Sequence, residues 1–327
     1  MDERRISFTA ADSFPLKLCI NPPFVSRIAH GYIAPIHIRL IPTNRCNLNC
    51  KFCSCSARNK NDELSIGDIS TLAQTFADLG TQAVTITGGG EPLMHPEINA
   101  IIQIFVDLGI EVGLVSNGEL LGNLTTKSLN NLTWCRIFCS DERHFTLRIE
   151  QIIREAVFNA PNVDWAFSYV AGAGGKFSPS NLSHWLLFAN EHNFTHVRVV
   201  SDLLNVSNVS FDQAKKHLQA VNVDSKIVIW QERKEFQPGK TKCHISLLKH
   251  VIGADGYIYP CCGVQYAHQE ADLDMPTSMR MGHWSDTRLI YLHQATFKGD
   301  NCAKCYYTNY NELIGDLLAD IAHKVFV

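Results

Sequence analysis

Apolar and polar residues alternate singly from 36 to 40 within IHIRLI (36–41), then yield to a polar, cysteine-bearing stretch. A run follows at 65–80 whose apolar positions recur every three or four residues. The first period is that of a strand with two different faces, the second that of an amphipathic helix. The exchange repeats as far as residue 201. Strands are expected at 82–87, 111–116, 134–140, 163–170 and 196–201, with further helices at 96–109 and near 145–159 and 180–193. Gly80 and Gly109 stand where the first two helical patterns stop, and glycine best accepts the left-handed conformation that ends a helix. Alternating strands and helices build a parallel sheet with right-handed crossovers. Six such units are fewer than the eight of a closed barrel, so the expected fold is α/β, a partial (β/α)6 TIM-like barrel. Sites in such folds lie at the C-terminal ends of the strands. The cysteine loop after the first strand and the glycine loop after the second should therefore share one mouth.

Past residue 203 the two periods fade. A helical pattern at 211–221 and a short apolar run at 226–230 (KIVIW) precede a polar linker, QERKEFQPGKTK. Beyond it the chain is poor in periodicity and rich in Cys, Gly, Tyr and Pro. That suits a small accessory unit held by a metal site in place of a core of its own. The expected organisation is an N-terminal extension at 1–35, a barrel core at 36–203, a connecting region at 204–240 and an accessory domain with a C-terminal helix at 241–327.

Composition narrows the function. The formal net charge is −3 with no block of basic residues, so a nucleic-acid partner is not expected. The start, MDERRISFTAADSFPLK, lacks the apolar segment of a signal peptide, and no apolar run approaches the roughly 18 residues of a membrane span. A cytoplasmic location without a membrane partner is expected. In a reducing compartment, twelve cysteines in a chain this long point to metal ligands before disulfides.

The cysteines form two groups. Cys46, Cys50, Cys53 and Cys55 lie in NRCNLNCKFCSCS; Cys243, Cys261, Cys262, Cys302 and Cys305 lie late. Cys19, Cys135 and Cys139 are isolated from both and are expected to pack in the core. The early four could hold one zinc, but zinc sites usually pair C-x2-4-C motifs some distance apart, and a C-x-C end fits a tetrahedral cage poorly. An iron–sulfur cube needs four ligands, so a loop that supplies three leaves one iron open. Cys46-x3-Cys50-x2-Cys53, with Phe52 before the last thiol, resembles the cluster loop of the radical S-adenosylmethionine (radical SAM) enzymes. TGGGEP after the second strand resembles their Gly-Gly-Glu motif at Gly89, Gly90 and Glu91. The resemblance implies a 4Fe-4S cluster whose open iron chelates S-adenosylmethionine. It places the cofactor's ammonium near Glu91 and the glycine carbonyls, its adenine beside Phe52, and further polar contacts at Ser116 and Asn117 of LVSNGE. It implies reductive cleavage to a 5′-deoxyadenosyl radical that abstracts substrate hydrogen, with a flavodoxin- or ferredoxin-type electron donor. Cys55 is then a bystander.

Later, Cys243-x12-Gly256-x4-Cys261 is followed by MGHWSDTRLIYLHQ and closed by Cys302-x2-Cys305. This series resembles the auxiliary-cluster domain called SPASM, in its shorter form, twitch. It implies one auxiliary iron–sulfur cluster, 4Fe-4S in type, on Cys243, Cys261, Cys302 and Cys305, with Cys262 as the alternative to Cys261. A zinc ribbon is the alternative metal site.

Residues 1–35 are too few for the peptide-binding domain that opens many peptide-modifying members of the family. The expected reaction is oxidation of a small polar molecule such as a sugar or aminocyclitol. Epimerisation and peptide maturation are the alternatives within the family, and a metal-stapled binding protein without catalysis is the alternative outside it. Candidate substrate contacts are Asp141, Arg143, His144, Tyr169 and Arg198. Arg198 leads, because HVRVV alternates and an unpaired charge facing the barrel interior is costly; a bound anion or a group of S-adenosylmethionine would satisfy it, and a Glu or Asp partner from the same barrel would make it structural. An epimerase would need a thiol hydrogen donor, for which Cys262, Cys139 and Cys55 are candidates. Two cubane clusters predict about eight irons per chain after anaerobic reconstitution; about four would remove the auxiliary cluster, and zinc alone would remove the whole reading.

Overall fold

The computed structural model describes residues 14–50, 52–140, 146–173, 177–202, 209–220, 227–232, 237–267 and 275–319. Strands form where the alternating pattern puts them: β1 (His37–Leu40), β2 (Ala83–Ile86), β3 (Glu111–Ser116), β4 (Leu132–Phe138), β5 (Asp164–Ala171) and β6 (His196–Ser201). The run before the linker adds β7 (Val228–Gln231). From β1 to β7 each strand pairs in parallel with the next, and the sheet stays open. Two short helices, α1 (Phe14–Cys19) and α2 (Pro22–Ala29), precede the barrel. Its crossovers are α3 (Ile66–Asp78), α4 (Ile98–Asp107), α5 (Thr126–Asn130), α6 (Leu147–Asn159), α7 (Pro179–Glu191) and α8 (Val209–Ala220). Local chemistry sets their ends. Ser65 caps α3 by accepting from the Asp68 amide at 3.1 Å and donating to the Asp68 carboxylate at 2.8 Å. Gly80 closes the same helix at φ +87°.

The period of two sorts each strand into an outer and an inner face. Ile38 and Leu40 of β1 and Val197 and Val199 of β6 are fully buried. Between them, His37, Arg39 and Arg198 line the barrel cavity. Behind β5, Phe167 stacks on Phe194 at 4.4 Å between centroids and meets Trp185 at 4.8 Å. Each buried ring there contributes about 1.5–3 kcal/mol.

The C-terminal region departs from expectation. β8 (Val251–Ile252) pairs in parallel with the free edge of β1, and β9 (Tyr257–Tyr259) and β10 (Gly282–His283) follow it antiparallel. The accessory segment thus prolongs the barrel sheet. It also has a small core, in which Val251, Tyr259, Val264, Met279 and Phe297 cluster with Ile41 of the barrel. The β8–β9 turn is built on Asp255-Gly256: Gly256 takes φ +82°, and the Asp255 carboxylate accepts from the Tyr257 amide at 3.2 Å and the Tyr259 hydroxyl at 2.7 Å. Asp-Gly between apolar runs was the available hairpin signal.

The remaining helices are α9 (Ile245–Leu248), α10 (Val264–Ala267), α11 (Thr287–Leu292) and α12 (Thr308–Leu318). Residues 14–35 belong to the same body. Phe14 stacks on Tyr310 of α12 at 4.6 Å, and the Ile33 amide donates to the Gln294 side chain at 2.7 Å. Cys19, expected in the core, is instead exposed at the end of α1, whereas Cys135 and Cys139 are fully buried. Among the described residues no helix is long and apolar enough to cross a membrane.

Asn311 of α12 fixes the segment that carries Cys243. Its buried amide accepts from the His244 backbone at 2.6 Å and donates to the Lys242 carbonyl at 2.7 Å. Asn311→Ala is expected to cost about 1–3 kcal/mol by urea denaturation, since it strands buried backbone groups. Asn311→Asp, which keeps the acceptor and loses the donor, should fall between it and the parent.

Candidate active site in the barrel cavity

The site begins with two loops that share backbone hydrogen bonds. After β2, the Gly90 amide donates to the Thr43 carbonyl at 3.2 Å and the Glu91 amide to the Arg45 carbonyl at 2.8 Å. A Cβ on Gly90 would stand 2.0 Å from the Arg45 carbonyl oxygen, and one on Gly89 2.3 Å from the Asn44 side chain. The sequence assigns these glycines to a close approach of cofactor. In the fold their missing side chains also let the glycine loop lie against the root of the cysteine loop.

A third loop, after β3, joins them through Glu91. This buried carboxylate accepts from the Ser116 hydroxyl at 2.8 Å, the Asn117 amide at 2.8 Å and the Leu93 amide at 3.2 Å. Burial raises its pKa to about 7, against the pull of those donors. The Asn117 side chain in turn donates to Asn47 at 2.8 Å, within the cysteine loop. Arg58 braces the loop from the other side, donating to the Asn44 carbonyl at 2.8 Å, to the Cys53 sulfur at 3.5 Å and to the Cys55 carbonyl. The Cys53 thiol is lowered to about 6, first by its hydrogen bond with the Cys55 thiol, and further by the Cys55 amide and Arg58, against the effect of burial.

Cys46, Cys50 and Cys53, with Phe52, Gly89, Gly90, Glu91, Ser116 and Asn117, all line one cavity of about 770 Å³ that runs into the barrel. Arg198 lines it too and donates to the Ser168 hydroxyl at 2.8 Å. Tyr169 does not reach it: the ring is in the core and its hydroxyl donates to the Ser178 carbonyl at 3.2 Å. Asp141, Arg143 and His144 lie outside the described residues. Sequence reasoning missed Arg39, Arg136, Lys249 and Tyr307, which also line the cavity. Arg39 had a signal in the alternating pattern of IHIRL, the same one that exposed Arg198; Arg136, flanked by apolar residues on both sides in TWCRIF, had a weaker one in the strand itself. Lys249 and Tyr307 had none, since they come from irregular segments.

The late thiols divide between two places. Cys243, Cys302 and Cys305 line a small pocket beside α12 together with Thr308. The Cys261 thiol is raised well above its ordinary range by burial first, and by the neighbouring Cys262, Cys243 and Cys302. Cys262 instead lines the barrel cavity, with its sulfur 3.1 Å from the Tyr307 hydroxyl. Backbone amides two residues ahead reach three thiols: Leu48 to Cys46 at 3.5 Å, Gly263 to Cys261 at 3.3 Å and Tyr307 to Cys305 at 3.4 Å. Such donors favour thiolate over thiol. The Thr308 hydroxyl, 4% exposed, lacks a hydrogen-bond partner in the protein and adjoins the pocket of Cys243, Cys302 and Cys305. An acceptor of sulfide or thiolate type would satisfy it, so this donor set fits an iron–sulfur cluster. Three thiols in a loop braced by Arg58 fit the first cluster equally. No group of three or more His, Cys, Asp or Glu side chains suited to a single metal ion is found among the described residues.

Residues 40–133, the stretch that carries both loops, match the Radical SAM superfamily. The chain carries a radical SAM domain. Curated relatives align over a stretch of similar length. The "Probable GTP 3',8-cyclase" of Sulfolobus acidocaldarius is 37% identical over 92 residues, 28% of this chain and 29% of the relative. The GTP 3',8-cyclase of Staphylococcus aureus is 35% identical over 94 residues, 26% of this chain and 27% of the relative. The chain therefore spans less than a third of the length of the cyclases it matches. Among solved structures, Streptococcus suis SuiB bound to S-adenosylmethionine superposes with a TM-score of 0.58 at 14% identity, covering 94% of this chain and 81% of SuiB. The anSMEcpe structure with bound AdoMet and Cp18Cys peptide gives 0.53 at 12% identity, covering 88% and 84%. At these identities the likeness is one of fold, and it extends beyond the radical SAM domain into the C-terminal strands.

Gly90→Ala should drive the two loops of the radical SAM domain apart. The expected loss is about 1–3 kcal/mol, together with a lower iron content after anaerobic reconstitution. Gly122→Ala, where a Cβ would meet nothing within 4 Å, is the control and should change neither urea stability nor iron content.

Proposed function

We propose that this chain binds a 4Fe-4S cluster through Cys46, Cys50 and Cys53, holds S-adenosylmethionine beside it, and removes hydrogen from a small polar substrate in the barrel cavity, with net oxidation of that substrate. The observation that carries the reading is the convergence of three thiols, the glycine loop and Glu91 on one cavity of about 770 Å³. That volume lies within the range of about 300–1,000 Å³ usual for small-ligand sites. When bound, the cluster and cofactor supply a one-electron reductive cleavage that yields a hydrogen-abstracting species.

The protein's own residues do the rest. Gly89 and Gly90, lacking Cβ atoms that would strike Asn44 and Arg45, keep the glycine loop close to the thiols on the cofactor side of the cavity. Glu91, with its carboxylate oriented by Ser116 and Asn117, stands ready to accept the cofactor's ammonium. Phe52 offers an apolar face to the adenine. A twitch-type auxiliary cluster is assigned to Cys243, Cys261, Cys302 and Cys305. The i+2 amide on Cys261 and the turn of Cys262 towards the cavity favour Cys261 as its ligand. That cluster would take the second electron of an oxidation, and its reduction potential would be tuned by its surroundings.

One observation favours a second reading. The Cys262 thiol faces the substrate space beside Tyr307, where a hydrogen-atom donor for an epimerase would stand. Product mass decides: two mass units below substrate for oxidation, and no change for epimerisation.

The reconstituted protein, given S-adenosylmethionine and dithionite without oxygen, is expected to release 5′-deoxyadenosine. Cys50→Ala should abolish the release. Absence of 5′-deoxyadenosine from the iron-loaded parent, or its survival in Cys50→Ala, would end this reading.

A further inference from the structure

The pocket of the late thiols is assembled by backbone. The segment that leads to Cys243 runs beside the one that carries Cys302 and Cys305. The Gly239 amide donates to the Cys302 carbonyl at 2.9 Å, the Cys305 amide to the Gln237 carbonyl at 2.7 Å and the Cys243 amide to the Phe297 carbonyl at 3.0 Å. A Cβ on Gly299 would stand 2.0 Å from the Lys240 carbonyl oxygen, so glycine there lets the two segments close. Most polar side chains of the pocket are already engaged. Asn311 is held at both ends by the 242–244 backbone, Lys240 pairs with Glu312 at 3.0 Å, and the Tyr307 hydroxyl lies against Cys262. Thr308 is the exception. The residue is 4% exposed, and its hydroxyl has no hydrogen-bond partner among the described residues.

Its place in the helix explains why. Threonines inside a helix often donate to a carbonyl one turn back, as Thr71 does to Gly67 and Thr75 to Thr71 in α3, each at 3.0 Å. Thr308 is the first residue of α12 and has no helical turn behind it. Its hydroxyl is left unspent beside three thiols, none of which accepts from it. A buried hydroxyl without an acceptor is costly, which calls for one in the pocket. Three features at the start of α12 bring positive potential there: this hydroxyl, the Tyr307 amide that reaches the Cys305 sulfur at 3.4 Å, and the N-terminal end of an eleven-residue helix. We propose that Thr308 donates its hydroxyl hydrogen to a sulfur of the auxiliary cluster and so raises the reduction potential of that cluster, readying it to accept an electron. A cluster that gains one electron gains one negative charge, and a donor bond to sulfur stabilises the reduced form more than the oxidised one. Tyr307 lines both this pocket and the barrel cavity, so the pocket and the substrate space share a wall. The inference rests on the auxiliary cluster of the proposed function and adds how this chain sets its potential.

The test follows potential, not turnover. Cys46→Ala, Cys50→Ala and Cys53→Ala are combined in the full chain, which leaves the late thiols to hold iron. This triple variant, the parent of the series, is reconstituted anaerobically with iron and sulfide. It is then titrated with dithionite, which supplies the electron, while the reduced cluster is followed by electron paramagnetic resonance. About four irons per chain are expected. Thr308→Val should favour the oxidised form by about tenfold, a fall in midpoint potential of about 59 mV for one electron. Thr308→Ser keeps the hydroxyl and should titrate near the parent. Thr308→Ala, which cannot crowd the pocket, is the second variant should Thr308→Val fold poorly. Thr71→Val, on the exposed face of α3, should leave the potential unchanged. The inference is overturned if iron-loaded Thr308→Val and Thr308→Ala titrate with the parent, if Thr308→Ser shifts as far as they do, or if neither of the two holds the cluster. A parent that takes up no iron would end the auxiliary-cluster reading itself, and the inference with it; a cluster whose potential ignores Thr308 leaves that reading intact.

Discussion

The active-site architecture depends on a backbone contact: two amides of the glycine loop donating to two carbonyls at the root of the cysteine loop. Thr43 and Arg45 can be reached because Gly89 and Gly90 have no Cβ to hold the chains apart. Everything polar at the mouth follows from that closeness. Glu91 leaves the glycine loop already committed to Arg45 through its amide, and its carboxylate then captures Ser116 and Asn117 from the next strand end. Asn117 returns to Asn47, closing a circuit of three loops around the thiols. A polar circuit with its donors and acceptors matched is rigid, and the proposed three-thiol cluster site needs such rigidity to keep its spacing.

Below this mouth the barrel uses the strand period for two purposes. Outward residues such as Ile38, Leu40, Val197 and Val199 bury themselves under the helices and pin each strand's register. Inward residues are thereby freed from packing duty and can be charged. An open sheet also leaves β1 with a free edge, and β8 fills it. The C-terminal segment is therefore continuous with the wall of the cavity, which brings Lys249, Cys262 and Tyr307 into the space where the barrel's own arginines project.

The cysteines sort by surroundings more clearly than by spacing. Cys135 and Cys139 lie among apolar neighbours, and burial raises both thiols. Burial also raises Cys46 and Cys261, but these two and Cys305 each meet an amide two residues ahead, a hydrogen bond to sulfur that the two core thiols lack among the contacts described. Cys55 has no such role, yet it lowers its neighbour Cys53 by a hydrogen bond, so it supports the loop without being one of the three proposed ligands.

The period-two and period-3.6 patterns determined β1–β6 and the principal crossover helices, because each element's faces are written into residues a few positions apart. The thiol and glycine spacings were legible for the same reason: each motif sits in one continuous loop. The inward aim of Arg39 and Arg198 was equally a matter of strand alternation, although it was drawn for Arg198 alone. Tertiary structure decided what is held together across long separations. It set the glycine loop against Arg45, joined β8 to β1, kept Cys261 off the cavity wall, and left Cys262 in the cavity with Tyr307 and Lys249. Adjacent cysteines in an irregular turn carry no periodicity to tell them apart; their surroundings are set by the hairpin, which pairs with β1 more than two hundred residues away, and by α12, which packs against α2 and α9.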